Sequence, residues 1–379
     1  MRFLHTSDWH LGRAMAQESL LDDQALVLDQ VFDILVETGA QAIVIAGDIF
    51  DRAVPRREAV DLFDRFLTRV YRETGSAIIA LAGNHDAPER IGFGGALQDP
   101  ARVLIRGPMN GRPHPLMLAD DDGPVAFSAL PFGEVHAARG HFDDPSVAAP
   151  ADVLERQVAE ARLHVPEGAR WVVAAHAFVQ GGAATETERS LDFVGGIETV
   201  PHAVFDGANY VALGHLHRAQ AAGAEHIRYC GSPMAFGFDE AGLEKGLLVV
   251  DLERDRVGVE TRPLVQPRAV RVIEGHLEDL VRAAGGCLSE DFIKAVLLDA
   301  GELVDPMGRL RTVYPNALQI QRRERPEAQG RAAFAPGGPR RAPMEVVDAF
   351  LADVRGEGLT DVERPLVLGV LEAAVGEAE

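Results

Sequence analysis

The sequence predicts an α/β fold built in layers, followed by a small α+β unit and two terminal helices. Three observations carry this reading. Short β-branched apolar runs alternate with helical patterns over the first 265 residues. Five of those runs are followed by Gly, Asp, His or Asn, which are turn and site residues. After Pro263–Pro267 the alternation restarts on a smaller scale, and it stops at a Pro/Gly-rich stretch.

Phe3–Ser7, Ala42–Gly47, Ile78–Gly83, Trp171–Ala175 and Tyr210–Gly214 each read as a fully buried strand, because they are continuously apolar rather than alternating. Between the first two, Gln24–Thr38 reads as a helix carrying Leu26, Val27, Phe32, Ile34 and Leu35. Between the second and third, Arg57–Tyr71 places Val60, Phe63, Leu67 and Val70 on one helical face. A helix is also expected over Glu89–Leu97. Residues 99–168 are rich in Pro, Gly and Asp, with one strand-like run, Val125–Leu130. Ile227–Cys230, Gly246–Leu252 and Arg256–Thr261 read as hairpin material.

From Ala269 the order is strand (Val270–Ile273), helix (Leu277–Ala284), strand (Ile293–Leu298), helix (Pro306–Val313) and strand (Ala317–Arg322). The expected domains are therefore 1–265, a main α/β domain; 268–325, a small α+β domain; 326–343, a linker; and 344–379, a helical segment. In that last segment Val346, Val347, Phe350, Leu351 and Val354 form one apolar stripe, and Leu366, Val367, Val370, Leu371 and Ala374 a second. Thr360 and Glu363 have capping-box spacing. Two short amphipathic helices beyond a linker cannot bury their own faces, so they are expected to dock on a partner or on the body of the chain.

Composition narrows the class. Among 379 residues 47% are hydrophobic and 25% charged, as in ordinary globular proteins. The opening residues hold no signal-peptide core, and no apolar run reaches membrane-spanning length. The cysteines are Cys230 and Cys287 alone, without a Cys-x-x-Cys pair, so a reducing cytoplasm is expected. The net charge of −21 repels nucleic acid on average. A DNA substrate would need bound cations, a local arginine patch or a partner to offset it. Lys245 and Lys294 are the only lysines.

The chemistry concentrates in five segments: Ser7-Asp-Trp-His10, Gly47-Asp-Ile-Phe-Asp51, Gly83-Asn-His-Asp86, Ala175-His176 and Gly214-His-Leu-His217. Each begins where an apolar strand stops. In open α/β sheets ligands bind beyond the carboxyl ends of strands, so residues more than 200 positions apart are expected to converge. Two Asp, one Asn and four His form a mixed oxygen and nitrogen set, suited to Mn²⁺, Fe²⁺ or Zn²⁺ rather than Ca²⁺. Seven ligands are too many for one ion and right for two that share a carboxylate. A lone histidine at a strand end is usually structural; the weight lies in five such segments in a consistent order.

These segments resemble the metal motifs of the calcineurin-like metallophosphoesterases: Asp-x-His, Gly-Asp-x-x-Asp, Gly-Asn-His-Asp, a lone His and Gly-His-x-His. That resemblance implies a four-layer β-sandwich flanked by helices. Leu4–Gly12, Ala46–Asp51, Leu81–Asp86, Tyr210–Arg218 and Tyr229–Pro233 are similar, more closely, to the bacterial SbcD family, the nuclease subunits of SbcC–SbcD complexes that process DNA ends. The order of parts agrees: phosphoesterase domain, small capping domain, linker, then helices that in the family bind an SbcC-type ATPase. The resemblance implies a manganese-dependent exo- and endonuclease of double-strand ends and hairpins, acting in repair and recombination and forming a homodimer.

By resemblance, Asp8, His10 and His217 hold one divalent metal, Asn84, His176 and His215 the other, and Asp48 bridges. His85 is catalytic rather than a ligand, and Asp86 or Asp51 supports the ligands from behind. Two departures stand out: His176 lacks the preceding glycine often found there, and Ser232–Asp239 differs in detail from the family. His5, His202 and His226 belong to no motif. Arg13, Arg52, Arg56, Arg57 and Arg90 are candidates to track a DNA backbone. No Gly-x-x-x-x-Gly-Lys-Ser/Thr occurs, so ATP-driven work would fall to a partner. Two other classes remain open: a phosphoesterase of small phosphate esters, against which the extra C-terminal parts argue, and a non-catalytic DNA-end scaffold, against which the full ligand set argues.

Overall fold

The computed structural model describes residues 1–109, 114–185, 199–323 and 342–376. The chain divides into two compact units, Met1–Arg271 and Val272–Glu379. The first begins with β1 (Arg2–Thr6), a small hairpin of β2 (Ala14–Met15) and β3 (Glu18–Ser19), α1 (Leu21–Thr38), β4 (Ala42–Ile45), α2 (Arg57–Glu73), β5 (Ala77–Leu81) and α3 (Pro88–Ile91). It continues with β6 (Val103–Arg106), β7 (Leu116–Asp120), β8 (Gly123–Leu130), α4 (Val135–Phe142), α5 (Pro150–Arg162) and β9 (Arg170–His176). It closes with β10 (Tyr210–Gly214), β11 (Gln220–Ala222), β12 (Ala224–Tyr229), β13 (Gly246–Leu252) and β14 (Val257–Pro263).

Two six-stranded sheets result, ordered β14-β13-β1-β4-β5-β6 and β11-β12-β10-β9-β8-β7. Their inner faces share one core, in which Phe3, Val44 and Ile79 of the first sheet meet Phe127, Val172 and Tyr210 of the second. The Phe3 ring lies edge-on to Phe127 and Tyr210, with centroids 5.4 and 5.5 Å away. Continuous apolar runs suit these central strands because both faces are covered. On the outer face of the second sheet, Leu154 and Val158 of α5 pack with Trp171, Val173 and Val211. On the other side α1 and α2 pack together, and α2 lies against β5. The expected helix–sheet–sheet–helix layering is therefore present.

Strands β1, β4, β5 and β6 run parallel, as do β8, β9, β10 and β12. Their carboxyl ends supply the site loops. Near this end His5 joins the two sheets: Nδ1 lies 3.0 Å from the Tyr210 hydroxyl and Nε2 3.1 Å from the Leu213 carbonyl. Burial pushes its imidazole down to about 3, so it is a neutral core residue.

The helix expected over Glu89–Leu97 is shorter than the sequence suggests. The α-helix ends at Ile91, because Gly92, Gly94 and Gly95 follow and Gly94 takes φ 72°. Residues 99–168 hold more structure than expected, namely β6, β7, β8, α4 and α5.

The second unit contains β15 (Val270–Gly275, which starts at the boundary), α6 (Leu277–Ala283), β16 (Phe292–Leu297), α7 (Pro306–Arg311) and β17 (Ala317–Arg322). They form a three-stranded sheet in the order β15-β16-β17, with Leu277, Ile293, Leu297 and Leu310 at its core. The expected linker lies outside the described residues as far as 341. Beyond it come α8 (Pro343–Arg355) and α9 (Glu363–Gly376). The capping box is formed: Glu363 accepts from the Thr360 N–H at 2.9 Å, and the Glu363 N–H reaches Thr360 Oγ1 at 3.3 Å. Phe350, Val354, Leu366 and Val370 are exposed.

Candidate metal centre

The Ser7–Leu11 loop lies beside the Gly47–Asp51 loop. The N–H groups of Asp8, His10 and Leu11 donate to the carbonyls of Gly47, Asp48 and Ile49 at 3.0, 3.0 and 2.9 Å. Side chains of both loops must turn inward together, which ordinary strand geometry forbids. Asp8, His10 and Asp48 accordingly take left-handed angles, φ 53°, 43° and 47°, and His215 stands at φ 108°. Each such conformation costs on the order of 1–3 kcal/mol in a non-glycine residue, and such residues gather at functional sites.

Side chains further along the chain hold these loops. Gln24 of α1 donates to the Trp9 and His10 carbonyls at 3.0 and 2.8 Å and accepts from the Gly12 N–H at 2.9 Å. Asp86 accepts from the N–H groups of Ile49, Phe50 and Gly83 at 3.0, 2.9 and 2.9 Å, tying the second loop to the third. Burial, then the neighbouring Asp48, pushes Asp86 up to about 7. Asp86 thus orients backbone rather than any imidazole. Gly83 is required by close approach, since a Cβ there would stand 2.8 Å from Asp48 Cγ and closer still to Asp48 Oδ1 and N.

The predicted residues come together in two clusters. Asp8, His10 and His217 offer ligand atoms within 4.8 Å of one another, and so do Asp8, Asp48 and His176. Asn84 Oδ1 lies 2.9 Å from His176 Nε2 and 3.3 Å from His215 Nδ1. Asp48 stands between the clusters: Oδ1 is 3.6 Å from His176 Nε2, and Oδ2 is 3.7 Å from His10 Nε2. Ala175 stands where that glycine is often found, and the His176 ring is buried beside Asn84 and Asp48.

Hydrogen bonds assign several tautomers. A carbonyl only accepts, so His176 Nδ1, 2.9 Å from the Ala46 oxygen, carries the proton and Nε2 faces inward as a lone pair. The same holds for His85, whose Nδ1 is 3.0 Å from the Asp51 carbonyl. His85 Nε2 stops 3.9 Å from Asp48 Oδ2, and its side chain is 31% exposed, unlike the buried imidazoles behind it.

The donor set fits divalent cations. His10 Nε2 and His217 Nε2 face each other at 3.1 Å, and His10 Nδ1 is buried without a hydrogen-bond partner among the described residues. Burial, reinforced by the surrounding His217, His85, Arg13 and His176, holds His10 well below the ordinary imidazole range. Burial acts likewise on His215 and pushes the Asp8 carboxyl up. Neutral inward-facing lone pairs and desolvated carboxylates lack a positive charge, which a cation among them would supply. His10, Asp51 and His85 also approach within 4.8 Å, but the Asp51 carboxylate is engaged by Arg13 at 3.2 Å and Arg52 at 3.4 Å.

Residues that sequence reading passed over lie behind His217. Its Nδ1 is 3.0 Å from Glu240 Oε1, and Glu240 Oε2 is 2.5 Å from Lys245 Nζ. Burial raises Glu240, but the hydrogen bonds and charges of His217 and Lys245 outweigh it and hold the carboxyl below its usual range. The one available signal was a lysine in a chain whose cations are almost all arginine. Phe236 packs edge-on to His10 and His217, so Ser232–Asp239 supports the site despite its divergence. Among the candidate arginines, Arg13 lies over the Phe236 ring, while Arg52, Arg56, Arg57 and Arg90 are exposed.

Comparison with known proteins assigns the chain to a family. The calcineurin-like phosphoesterase profile matches residues 1–219. The SbcD C-terminal profile, described as the type 5 capsule protein repressor C-terminal domain, matches residues 266–355. The SbcD subunit of the nuclease SbcCD from Staphylococcus saprophyticus is 31% identical over 321 residues, covering 84% of each chain. Two solved structures are similar at 14% identity: the inner-membrane-complex anchor GAP50 of Plasmodium, at a TM-score of 0.42 over 69% of this chain and 84% of that one, and a dimetal phosphatase from Danio rerio, at 0.38 over 70% and 97%. With the profile spanning more than half of its length and a curated relative matched over most of both chains, the protein belongs to the calcineurin-like phosphoesterases, within the family of the SbcD nuclease subunits.

Proposed function

We propose that this chain is a manganese-dependent DNA nuclease subunit that hydrolyses phosphodiesters at double-strand ends and hairpins, in repair and recombination, with an SbcC-type ATPase as partner. The observation that carries the reading is Asp48, with one carboxylate oxygen toward His176 and the other toward His10. In this reading Asp8, His10 and His217 hold one cation, Asn84, His176 and His215 hold the other, and Asp48 serves both. When bound, two such cations supply Lewis-acid polarisation of a phosphate oxygen and a water made acidic enough to act as nucleophile.

The protein's part is orientation and proton handling. Asp86 and Gln24 fix the loops, so the ligands are held before substrate arrives. His85 is solvent-accessible, bonded through Nδ1 to the Asp51 carbonyl, and presents Nε2 outward over the site. As an imidazolium, with a second proton on Nε2, it would protonate a departing sugar oxygen, a role worth about 10²–10⁴-fold. Arg13 and Arg52, at the mouth through Asp51, offer phosphate contacts in an otherwise acidic chain.

The exposed apolar side chains of α8 and α9 support a partner-binding role for 344–379, beyond a linker at 326–343. The small domain at 268–325 is read as a cap for the main domain. A homodimer and a cytoplasmic setting complete the reading; among the described residues no helix is long and apolar enough to cross a membrane. The test is a nuclease assay on free and blocked duplex ends and on hairpins, in Mn²⁺ and in Mg²⁺, with and without the ATPase. Cleavage of a small chromogenic phosphodiester but of no DNA substrate, under any of these conditions, overturns the DNA reading.

A further inference from the structure

We propose that Glu240, backed by Lys245, is a positioning residue: it fixes the His217 ring with Nε2 toward Asp8 and His10 and makes that side the tighter of the two cation sites. The inference rests on the two-cation reading above. Its starting point is a buried ion pair with no evident structural task. Glu240 is fully buried and Lys245 nearly so. Removing two charges from water costs more than their attraction returns unless the geometry is saturated, and well-packed apolar residues are often as stable.

Here the geometry is saturated, and it converges on one residue. Lys245 Nζ, which has three protons to donate, meets Glu240 Oε2 at 2.5 Å, the His217 carbonyl at 2.8 Å and Ser232 Oγ at 2.9 Å. Ser232 in turn donates to the Met234 carbonyl at 2.7 Å. The lysine therefore grips the His217 backbone and, through Glu240, its ring. Glu240 Oε1, 3.0 Å from His217 Nδ1, accepts a hydrogen bond from the ring N–H there and leaves the Nε2 lone pair for the site. Carboxylates behind metal-binding imidazoles act in this way, raising ligand basicity, and their loss costs about 10–100-fold in affinity.

The other side is built differently. His176 Nδ1 faces a neutral carbonyl, that of Ala46. Asn84 contributes an uncharged amide oxygen there, and Asp8 lies within reach of both His217 and His176. Asp48 is common to both. The carboxylate that distinguishes the two sides is therefore Glu240, behind His217, which predicts stepwise loading with the Asp8–His10–His217 side first.

The experiment titrates MnCl₂ into the metal-stripped full chain by calorimetry and compares wild type with the double variant Glu240→Gln/Lys245→Met. The double variant keeps a neutral acceptor for His217 and leaves no charge buried alone. Two binding steps are expected in the wild type. In the variant the tighter step weakens about 10–100-fold, the weaker step stays within twofold, and the melting temperature is unchanged or higher. Two unchanged steps, or equal weakening of both with a lowered melting temperature, overturn the positioning role alone. A wild type that binds fewer than two Mn²⁺ overturns the two-cation reading and this proposal with it. A second measurement needs no variant: ¹⁵N NMR of the wild-type His217 ring should find its proton on Nδ1, and a proton on Nε2 instead overturns the proposal.

Discussion

Gly83→Ala adds one methyl group at a point where the backbone angle is permissive for any residue, so its effect is steric alone. The new Cβ would stand 2.8 Å from Asp48 Cγ and closer to Oδ1 and to the Asp48 amide nitrogen. Carbon atoms in contact prefer about 3.5–4.0 Å, so either Asp48 or the 83–86 loop must withdraw by about 1 Å. Asp48 cannot yield freely, because its Oδ1 accepts the His85 N–H at 2.9 Å. The loop cannot yield freely either, because the Gly83 N–H is held by Asp86 at 2.9 Å. Breaking one hydrogen bond to a charged group costs about 1.5–3 kcal/mol. A 1 Å misplacement in an active site can cost about 10²-fold in rate. The expected variant is destabilised by about 2 kcal/mol on this account, folded, and at least roughly a hundredfold slower on a chromogenic phosphodiester with Mn²⁺. Gly75→Ala, where a Cβ meets nothing within 4 Å, is the control. A Gly83→Ala protein that melts and turns over like the control refutes the claim that this glycine keeps room for Asp48.

Three further outcomes are expected. His85→Ala should keep both equivalents of Mn²⁺ and lose about 10²–10⁴-fold in kcat, since the ring bonds to the Asp51 carbonyl and lies outside the two clusters; full activity in the metal-loaded variant sinks its role. Asp48→Asn should lower Mn²⁺ content measured by elemental analysis, because an amide offers one ligating oxygen where the carboxylate offers two; wild-type content rules out bridging. His5 has a folded pKa near 3 against 6.5 unfolded, so the unfolded chain takes up the proton first and the stability His5 contributes, full above 6.5, falls with pH below it. Denaturant titrations of wild type and His5→Gln should therefore converge by about 2 kcal/mol between pH 7 and pH 5, and a pH-independent difference refutes the assignment.

The five ligand segments were legible because each lies at the end of a long apolar strand, where sequence order and spatial convergence coincide. Glu240 and Lys245 were not, since beyond the rarity of lysine nothing local marks them: they reach His217 from 23 and 28 residues away, across a turn whose sequence diverges from the family. Gln24 sits in an amphipathic helix, where a polar residue ordinarily faces water, yet it turns inward to the Trp9 and His10 carbonyls. In 99–168 the Pro and Gly content masked short elements. Strand β7 lies at the edge of its sheet and carries one fully buried apolar residue, Leu116, so its alternation is faint. The helix expected at Glu89–Leu97 errs in the opposite direction: its apolar spacing is helical, but Gly92, Gly94 and Gly95 outweigh that spacing and end the helix early.

The polypeptide alone is poorly reconciled at this site. Four non-glycine residues hold strained backbone angles, two histidines are driven neutral by burial, and the Asp8 carboxylate is desolvated. None of these choices favours folding, and the two sheets around them supply the stability that offsets it. What they have in common is a demand for positive charge within a few ångströms of Asp48. The same demand bears on the net charge of −21. A uniformly basic surface would attract DNA anywhere along the protein. On the proposed function, two cations in an acidic chain, beside Arg13 and Arg52, would instead confine the attraction for phosphate to the place where the bond is to be cut.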